Sequence, residues 1–218
     1  DDQIKHYMSL KNAAIALLDD GDLVSAPAVM TQLLRLQQVL CGHLMTDDGD
    51  LVEFKTRRID ALLETIEEMS GGVIIWSRFR YDIRNIEAAL KKAYGDDSTV
   101  NYYGDTSDSD RELAIKRFQD RDARFFVGNP QTAGKGLTLN AASNVIYYAN
   151  DFNLESRVQS EDRCHRIGQK NTVTYVDFVS KGTVDEHIVK TLRAKIDLSA
   201  KTLGEEARQW LELSPRKE

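Results

Sequence analysis

The sequence predicts an α/β fold in which a parallel sheet is flanked by helices and preceded by a helical hairpin. From residue 73 onward, short apolar runs alternate with segments whose apolar residues recur at helical spacing. Residues 73–76 (Val-Ile-Ile-Trp) form a continuous apolar run, which is typical of a strand buried on both faces. Strands that alternate with helices imply a parallel sheet with right-handed crossovers.

The first 45 residues predict two amphipathic helices. The apolar residues of the first helix recur at helical spacing, and the turn-forming residues 19–22 end it. Ser25 can cap the second helix, Pro27 is tolerated in its first turn and Gly42 can close it. The apolar positions of both helices are Ile4, Met8, Ile15, Leu18, Val29, Leu33, Leu36, Val39 and Leu40.

An acidic stretch at 47–50 (Asp-Asp-Gly-Asp) has the composition of a turn and predicts an internal boundary. The sequence therefore predicts a helical segment over 1–50, an α/β lobe over 51–198 and a helical tail over 199–218. No apolar run approaches the ~20 residues needed to cross a bilayer, so no membrane partner is predicted.

Within the lobe, helix signals separate five predicted strands. Thr56 can cap a first helix that stops at residues 71–72, and Ser107 can cap a later one. Residues 183–186 (Thr-Val-Asp-Glu) form a capping box that opens a last helix, running to about Leu198. The predicted strands cover residues 73–76, 100–103, 124–127, 145–148 and 173–179. The helices between them carry Ile83, Ile86, Leu90, Leu113, Ile115 and Phe118.

The composition is that of a globular protein, and the charge balance bears on its partners. The net charge of −6 argues against a protein coated non-specifically in nucleic acid, but it allows a local basic groove. Two cysteines are too few for a disulfide framework, which predicts a reducing, intracellular compartment. A zinc site built from Cys41, His43, Cys164 and His165 lacks any CxxC spacing, so no metal site is predicted.

The most informative stretch covers residues 159–169 (Gln-Ser-Glu-Asp-Arg-Cys-His-Arg-Ile-Gly-Gln). If it is helical, Gln159, Arg163 and Arg166 fall on one face. Two guanidinium groups aimed the same way offer planar, permanently charged donors suited to a phosphate chain. The alternative is a solvated helix with an ion pair between Asp162 and Arg166.

This stretch resembles the last helicase motif of the SWI/SNF-type DNA-dependent ATPases, the chromatin-remodelling branch of superfamily 2. That motif is Gln-x-x-x-Arg-x-His-Arg-x-Gly-Gln, and every fixed position is met. The resemblance implies the second, RecA-like lobe of a P-loop NTPase-type motor. It also implies that Arg163 and Arg166 are catalytic arginine fingers and that Gln159 contacts the nucleotide.

Two further strings at predicted strand ends resemble motifs of the same family. Residues 77–78 (Ser-Arg) follow the strand at 73–76, and the resemblance implies that Ser77 and Arg78 touch the DNA backbone. An N-cap next to a surface arginine is the alternative. Residues 128–139 resemble the family's loop ending Gly-x-Gly-x-x-Leu. There the resemblance implies a nucleotide-binding pair, Gly134 and Gly136, and DNA contacts by Asn129, Thr132 and Lys135.

Weaker matches extend the resemblance over most of residues 30–190. Residues 151–154 (Asp-Phe-Asn-Leu) resemble Asp-Trp-Asn-Pro with two departures. Residues 103–106 (Tyr-Gly-Asp-Thr), followed by Arg111, resemble Asp-Gly-Ser-Thr with its downstream arginine. Asp105 stands there in place of serine, so a carboxylate occupies the position of a phosphate or DNA contact.

The sequence contains no GxxxxGK[ST] and no Asp-Glu-x-His string, which excludes a stand-alone P-loop enzyme. We therefore expect a first lobe elsewhere in the full-length chain to hold ATP and Mg²⁺, and this chain alone to be inactive. The resemblance implies ATP-driven translocation on double-stranded DNA without sequence preference. It implies the nucleus of a eukaryote, or the cytoplasm and nucleoid of a microbe or virus. The alternative is a non-catalytic DNA- or protein-interaction module that keeps the fold.

Overall fold

The computed structural model describes residues 2–19, 26–132, 137–164 and 172–194. The predicted α/β class is confirmed, with a five-stranded parallel sheet flanked by helices. In chain order the elements are α1 (Asp2–Asp19), α2 (Ala26–Cys41), β1 (His43–Met45), β2 (Leu51–Glu53), α3 (Arg58–Glu67), β3 (Gly72–Ser77), α4 (Arg80–Tyr94), β4 (Thr99–Tyr102), α5 (Asp108–Gln119), β5 (Phe125–Gly128), β6 (Ala142–Ala149), α6 (Leu154–Asp162), β7 (Thr174–Asp177) and α7 (Val184–Arg193).

The described residues form two compact units. The first contains residues of 2–58, 152–154 and 179–194, and the second contains residues of 59–151 and 155–178. The predicted boundary at 50 falls in the turn between β1 and β2, where Met45 pairs with Leu51, and the first unit continues to Arg58. In the described part of the chain, no helix has both the length and the apolar character to cross a membrane.

The second unit is built on the parallel sheet, whose strand order is β4-β5-β3-β6-β7. β3 lies in the middle, with Val73 in register with Phe125 of β5 and Asn144 of β6. From Val73 to Ser77 this strand is fully buried, as its apolar run predicts. β6 is longer than the sequence predicts and β7 is shorter.

The core of the second unit is centred on Phe126, which is fully buried in β5. Its ring packs against three other aromatic rings at centroid distances of 5.5–5.9 Å, those of Trp76, Tyr102 and Phe118. Of the apolar residues predicted for α5, Phe118 is buried but Leu113 is 54% exposed. The apolar face of α5 is therefore narrower than its sequence suggests.

Three predicted helix caps are confirmed, whereas α3 begins at Arg58 and ends at Glu67, inside the bounds that Thr56 and residues 71–72 set for it. Gly42 ends α2 with φ +93°, the left-handed conformation that favours glycine. The Ser107 hydroxyl accepts a hydrogen bond from the Asp110 backbone N–H at the start of α5. Thr183 caps α7 in the same way through the Asp185 N–H. Ser25, predicted to cap α2, lies outside the described residues.

The first unit joins α7 to the N-terminal helices. Its core contains Leu33 and Leu36 of α2 and Val184 and Ile188 of α7, all fully buried. The Tyr7 hydroxyl accepts a hydrogen bond of 3.1 Å from the Val184 N–H. These contacts explain why residues 179–194 belong with the helical segment rather than with the sheet.

A buried ion pair adds to this unit, because Arg58 Nη1 lies 3.1 Å from Asp185 Oδ2. The same carboxylate oxygen accepts a hydrogen bond from the Ser180 N–H. Both charged side chains are more than nine-tenths buried, so each relies on the other for compensation of its lost hydration.

Candidate functional site

The candidate site lies along the carboxyl edge of the parallel sheet. Because β5, β3 and β6 are parallel neighbours, the residues that follow them come together at one edge. The segments that meet there begin at Arg78 after β3, at Asn129 after β5 and at Asn150 after β6. Arg78 and Asn129 are residues for which the family resemblance implies DNA contacts.

The carboxylate of Asp151 joins two of these segments. One of its oxygens lies 3.1 Å from Arg78 Nη1, and the other accepts a hydrogen bond from the Gln131 side-chain amide. Asp151 is 8% exposed, and the Arg78 side chain is 20% exposed. Burial lowers the pKa of Arg78, and the Asp151 carboxylate opposes that shift. The pair therefore holds a charged guanidinium at a fixed position beside the loop after β5.

Asn129 shapes the loop that follows β5. Its side-chain NH₂ donates to the Arg78 carbonyl at 2.9 Å, and its side-chain oxygen accepts from the Gln131 and Thr132 N–H groups. Its own backbone N–H donates to the Tyr102 carbonyl at 3.1 Å. The Asn129 amide is thus engaged within the loop, and half-buried Thr132 follows in the same turn.

Ser77 is fully buried at the end of β3. Its hydroxyl donates to Asp82 Oδ2 of α4 at 2.9 Å and accepts from the Phe79 N–H at 3.4 Å. These contacts resemble the predicted alternative, in which the serine organises the start of a helix. A DNA contact by the Ser77 side chain remains a prediction that requires its exposure.

The helix that carries Gln159 ends earlier than the motif suggests. The sequence placed Gln159, Arg163 and Arg166 on one helix face, but α6 ends at Asp162 and Arg163 lies in the turn beyond it. The physical reason is a change of hydrogen-bond partners. The Cys164 N–H bonds to the Glu161 carbonyl, and the Arg163 carbonyl accepts from the Leu139 N–H at 3.1 Å.

The predicted arginines and nucleotide contacts are only partly described. Arg163 is 7% exposed, and the half-buried Gln159 donates through its side-chain amide to Glu155 at 2.7 Å, one turn back along α6. Four predicted site residues lie outside the described residues, namely Arg166, Gly134, Lys135 and Gly136. The structure therefore brings Arg78, Asn129 and Thr132 together but leaves the glycine pair and the second arginine undescribed.

Arg157 is the central polar residue that the sequence did not identify. Its side chain is 9% exposed and donates to Asn150 Oδ1 at 2.7 Å, to Asp177 and to Glu161. The guanidinium carbon also lies 3.5 Å from the centroid of the Tyr147 ring. Burial lowers the pKa of Arg157, but Tyr147, Asp177 and Glu161 outweigh it and raise the pKa overall. The charge therefore persists and fixes α6 against the ends of β6 and β7.

A second contact links the same helix to the sheet, because the Tyr147 hydroxyl lies 2.7 Å from Ser160 Oγ. The sequence does contain an indication of the polar cluster around Arg157. Asn150 directly follows an apolar strand, and Asp177 lies inside another strand that is otherwise largely apolar. Such residues need buried partners, but the sequence alone does not identify Arg157 as that partner.

Cys164 follows Arg163 and is fully buried. Burial is the main cause that raises the pKa of its thiol to about 12, and Glu161 adds to the shift. Such a thiol is protonated at neutral pH and is a poor nucleophile. Among the residues that the structure describes, no group of three or more His, Cys, Asp or Glu side chains could hold a metal ion.

Comparison with known sequences places this geometry in context. The helicase conserved C-terminal domain family matches residues 55–168. ATP-dependent helicase fft3 of Schizosaccharomyces pombe is 32% identical over 69% of this chain and 16% of its own length. Protein CHROMATIN REMODELING 19 of Arabidopsis thaliana is 32% identical over 73% and 21%. Chromatin-remodeling ATPase INO80 of Homo sapiens is 30% identical over 71% and 10%. The aligned region spans about a fifth or less of each of these relatives.

Solved structures share the fold. The C-terminal part of the Fun30 ATPase domain is 26% identical, with a TM-score of 0.60 over 72% of this chain and 53% of its own. The Sulfolobus solfataricus SWI2/SNF2 ATPase core in complex with dsDNA covers 98% of this chain and 48% of its own, at 23% identity and a TM-score of 0.74. The second likeness supports the fold alone.

Replacing Arg157 should destabilise the second unit. Arg157→Met removes the cation but leaves Asp177 and Asn150 buried, so we expect a loss of about 3–5 kcal/mol in the free energy of unfolding. Urea denaturation of the chain measures it. Lys92→Met is the matched control, because Lys92 is an exposed cation on α4, and its substitution should cost under about 0.5 kcal/mol. Equal effects of the two substitutions would contradict the role of Arg157.

The raised pKa of Cys164 predicts a pH dependence of stability. The unfolded thiol ionises near its ordinary pKa of 9.0, whereas the folded thiol holds its proton to about 12. The folded state therefore binds more protons above pH 9, and the free energy of unfolding falls as the pH rises. Between pH 8 and 10 the wild type should lose about 1 kcal/mol more than Cys164→Ala, as measured by urea denaturation. Identical losses would show that the thiol is not protected.

Proposed function

Since the chain belongs to the helicase conserved C-terminal domain family, we propose that it is the second motor lobe of a SWI/SNF-type, ATP-driven translocase on double-stranded DNA. The observation that carries the proposal is the position of Arg163. It follows directly on a helix that the buried Arg157 clamps to the sheet, and its carbonyl accepts a hydrogen bond from the Leu139 N–H, near the end of the segment that links β5 to β6.

In this proposal the chain supplies one side of a composite ATPase site. The first lobe would hold the phosphates of ATP and the Mg²⁺ ion, since the sequence has no GxxxxGK[ST] and the described residues hold no cluster of metal ligands. Arg163 and Arg166 would cross the cleft and stabilise the charge that develops on the transferred phosphoryl group. Gln159, Gly134 and Gly136 would line the nucleotide.

The DNA-binding part of the proposal rests on the loops after β3 and β5. Arg78 is held in place by Asp151, and Thr132 lies in the turn organised by Asn129. With Lys135 these residues would contact backbone phosphates, which carry no sequence information. We therefore propose binding without sequence preference, in the nucleus where the host is a eukaryote. Closing of the cleft on ATP and its reopening after hydrolysis would move this lobe along the duplex.

A non-catalytic interaction module is the second candidate, because a helicase-lobe fold can serve binding alone. The buried contacts of Arg157 favour the motor, since they hold α6, the helix that Arg163 directly follows, against the sheet. A module that only binds DNA has no need of a rigid arginine at that place. Turnover by the full-length protein separates the two candidates.

Removing an arginine finger should abolish turnover in the full-length protein. A guanidinium supplied from the opposite lobe touches the γ-phosphate only when the cleft closes, so it stabilises the transition state more than bound ATP. For Arg166→Ala we expect DNA-stimulated ATPase to fall about 10³- to 10⁵-fold with ATP affinity nearly unchanged. Arg166→Lys should restore little, because an ammonium lacks the planar fork.

Arg163→Ala should lower the rate similarly. Because Arg163 is 7% exposed, the substitution can also destabilise the fold, so the free energy of unfolding of this variant is measured as well. Lys92→Ala, on the exposed side of α4, should retain wild-type turnover. A folded variant that keeps more than about a tenth of wild-type turnover would rule out the finger role for that arginine.

The isolated chain, residues 1–218, should hydrolyse no ATP even with saturating DNA, because it lacks a phosphate loop. It should bind duplex DNA weakly, with an affinity that drops steeply between about 50 and 200 mM salt. Steady-state ATPase and fluorescence anisotropy measure both properties. Sustained hydrolysis by pure protein would refute the two-lobe proposal, and salt-insensitive, sequence-selective binding would refute the backbone contacts.

A further inference from the structure

One carboxylate bridges two exposed arginines at the carboxyl edge of the sheet. Asp105 Oδ1 lies 2.9 Å from Arg80 Nη1, and Asp105 Oδ2 lies 3.0 Å from Arg84 Nη2. The arginine side chains are 64% and 63% exposed, whereas that of Asp105 is 37% exposed. Each carboxylate oxygen thus faces a different guanidinium, which is how two oxygens of a phosphodiester group would be held.

The loop after β4 is shaped to present this carboxylate. The Arg111 guanidinium donates to the carbonyls of Tyr103 and Gly104 at 3.2 and 3.4 Å, which holds the loop from the side of α5. At Gly104 the backbone runs close to Arg80, because a Cβ there would lie 2.9 Å from Arg80 Nη2. Asp105 therefore lies against the arginine pair through the local structure of the loop.

The arginine pair is continuous with the proposed DNA-binding edge. Arg80 and Arg84 lie one helical turn apart at the start of α4, which begins just after Arg78. The loop after β4 is joined to the loop after β5 by the hydrogen bond from the Asn129 N–H to the Tyr102 carbonyl. Neither arginine belongs to the motifs for which the family resemblance implies DNA contacts.

We propose that Arg80 and Arg84 form a phosphodiester-binding pair, which Asp105 occupies until a backbone phosphate of duplex DNA displaces it. The proposal rests on the proposed function for the identity of the ligand. Ion pairs between exposed side chains are weak and screened by salt, so a phosphate that arrives with several others can replace the carboxylate. Asp105 would then limit the affinity of an otherwise strong basic pair.

The test compares two variants that remove the same charge. Asp105→Asn frees the arginine pair and should tighten binding of residues 1–218 to a short DNA duplex about three- to fivefold. Asp97→Asn is the control. Asp97 also pairs with an arginine, Arg117, at 3.2 Å, but it is 98% exposed and precedes β4, at the other end of that strand. Its substitution should give only the small gain due to net charge.

A second measurement identifies the arginines as the binding groups. In the Asp105→Asn background, Arg80→Gln with Arg84→Gln should cancel the gain. The slope of log affinity against log salt should also fall by about one, for the one phosphate that the arginine pair no longer neutralises. Thermal melting checks that all variants remain folded.

The proposal is overturned if Asp105→Asn binds DNA no more tightly than Asp97→Asn, if the gain survives removal of both arginines, or if no variant binds at low salt. The test of the arginine pair is independent of the test of the proposed function. A full-length protein without DNA-stimulated ATPase would refute the proposed function, and a gain specific to Asp105→Asn would still establish the arginine pair.

Discussion

The candidate site depends on the contacts that the buried Arg157 guanidinium makes with the sheet. Removing such a charge from water costs several kcal/mol, and only well-placed partners offset that cost. Here the partners are Asn150 and Asp177 at the ends of β6 and β7, together with the face of Tyr147. Because they belong to two strands and Arg157 belongs to α6, one cation fixes the helix to the sheet. The position of Arg163, just beyond that helix, follows from it.

Most of the second unit could be predicted from local patterns. The run at 73–76 indicated a strand buried on both faces, because a strand with one face in water would expose half of four consecutive apolar residues. The strand β3 lies at the centre of the sheet with no exposed residue between Val73 and Ser77. Capping residues such as Ser107 and Gly42 set helix ends correctly, since a cap depends on neighbours in sequence.

The rest depends on contacts between residues distant in sequence. The helix α6 ends at Asp162, after which the Cys164 N–H bonds to the Glu161 carbonyl and the Arg163 carbonyl accepts from the distant Leu139 N–H. No periodicity in residues 159–169 reveals these partners. Serine is a residue type that can contact the DNA backbone, yet the hydroxyl of Ser77 is buried and donates to Asp82. The partners of Arg157 come from three different elements. The sequence therefore shows which residues are polar, but it does not show which of them pair.

The central place of β3 has a mechanical consequence. The strands that precede the loop after β5 and the helix α6, namely β5 and β6, are each hydrogen-bonded to β3 and not to each other. Within the sheet, a displacement of α6 therefore reaches the loop after β5 by way of β3, which is fully buried from Val73 to Ser77, and outside the sheet it reaches that loop through the contact between Asp151 and Gln131. Because a close-packed interior has low compressibility, we expect the loop after β5 and the start of α6 to move together rather than independently.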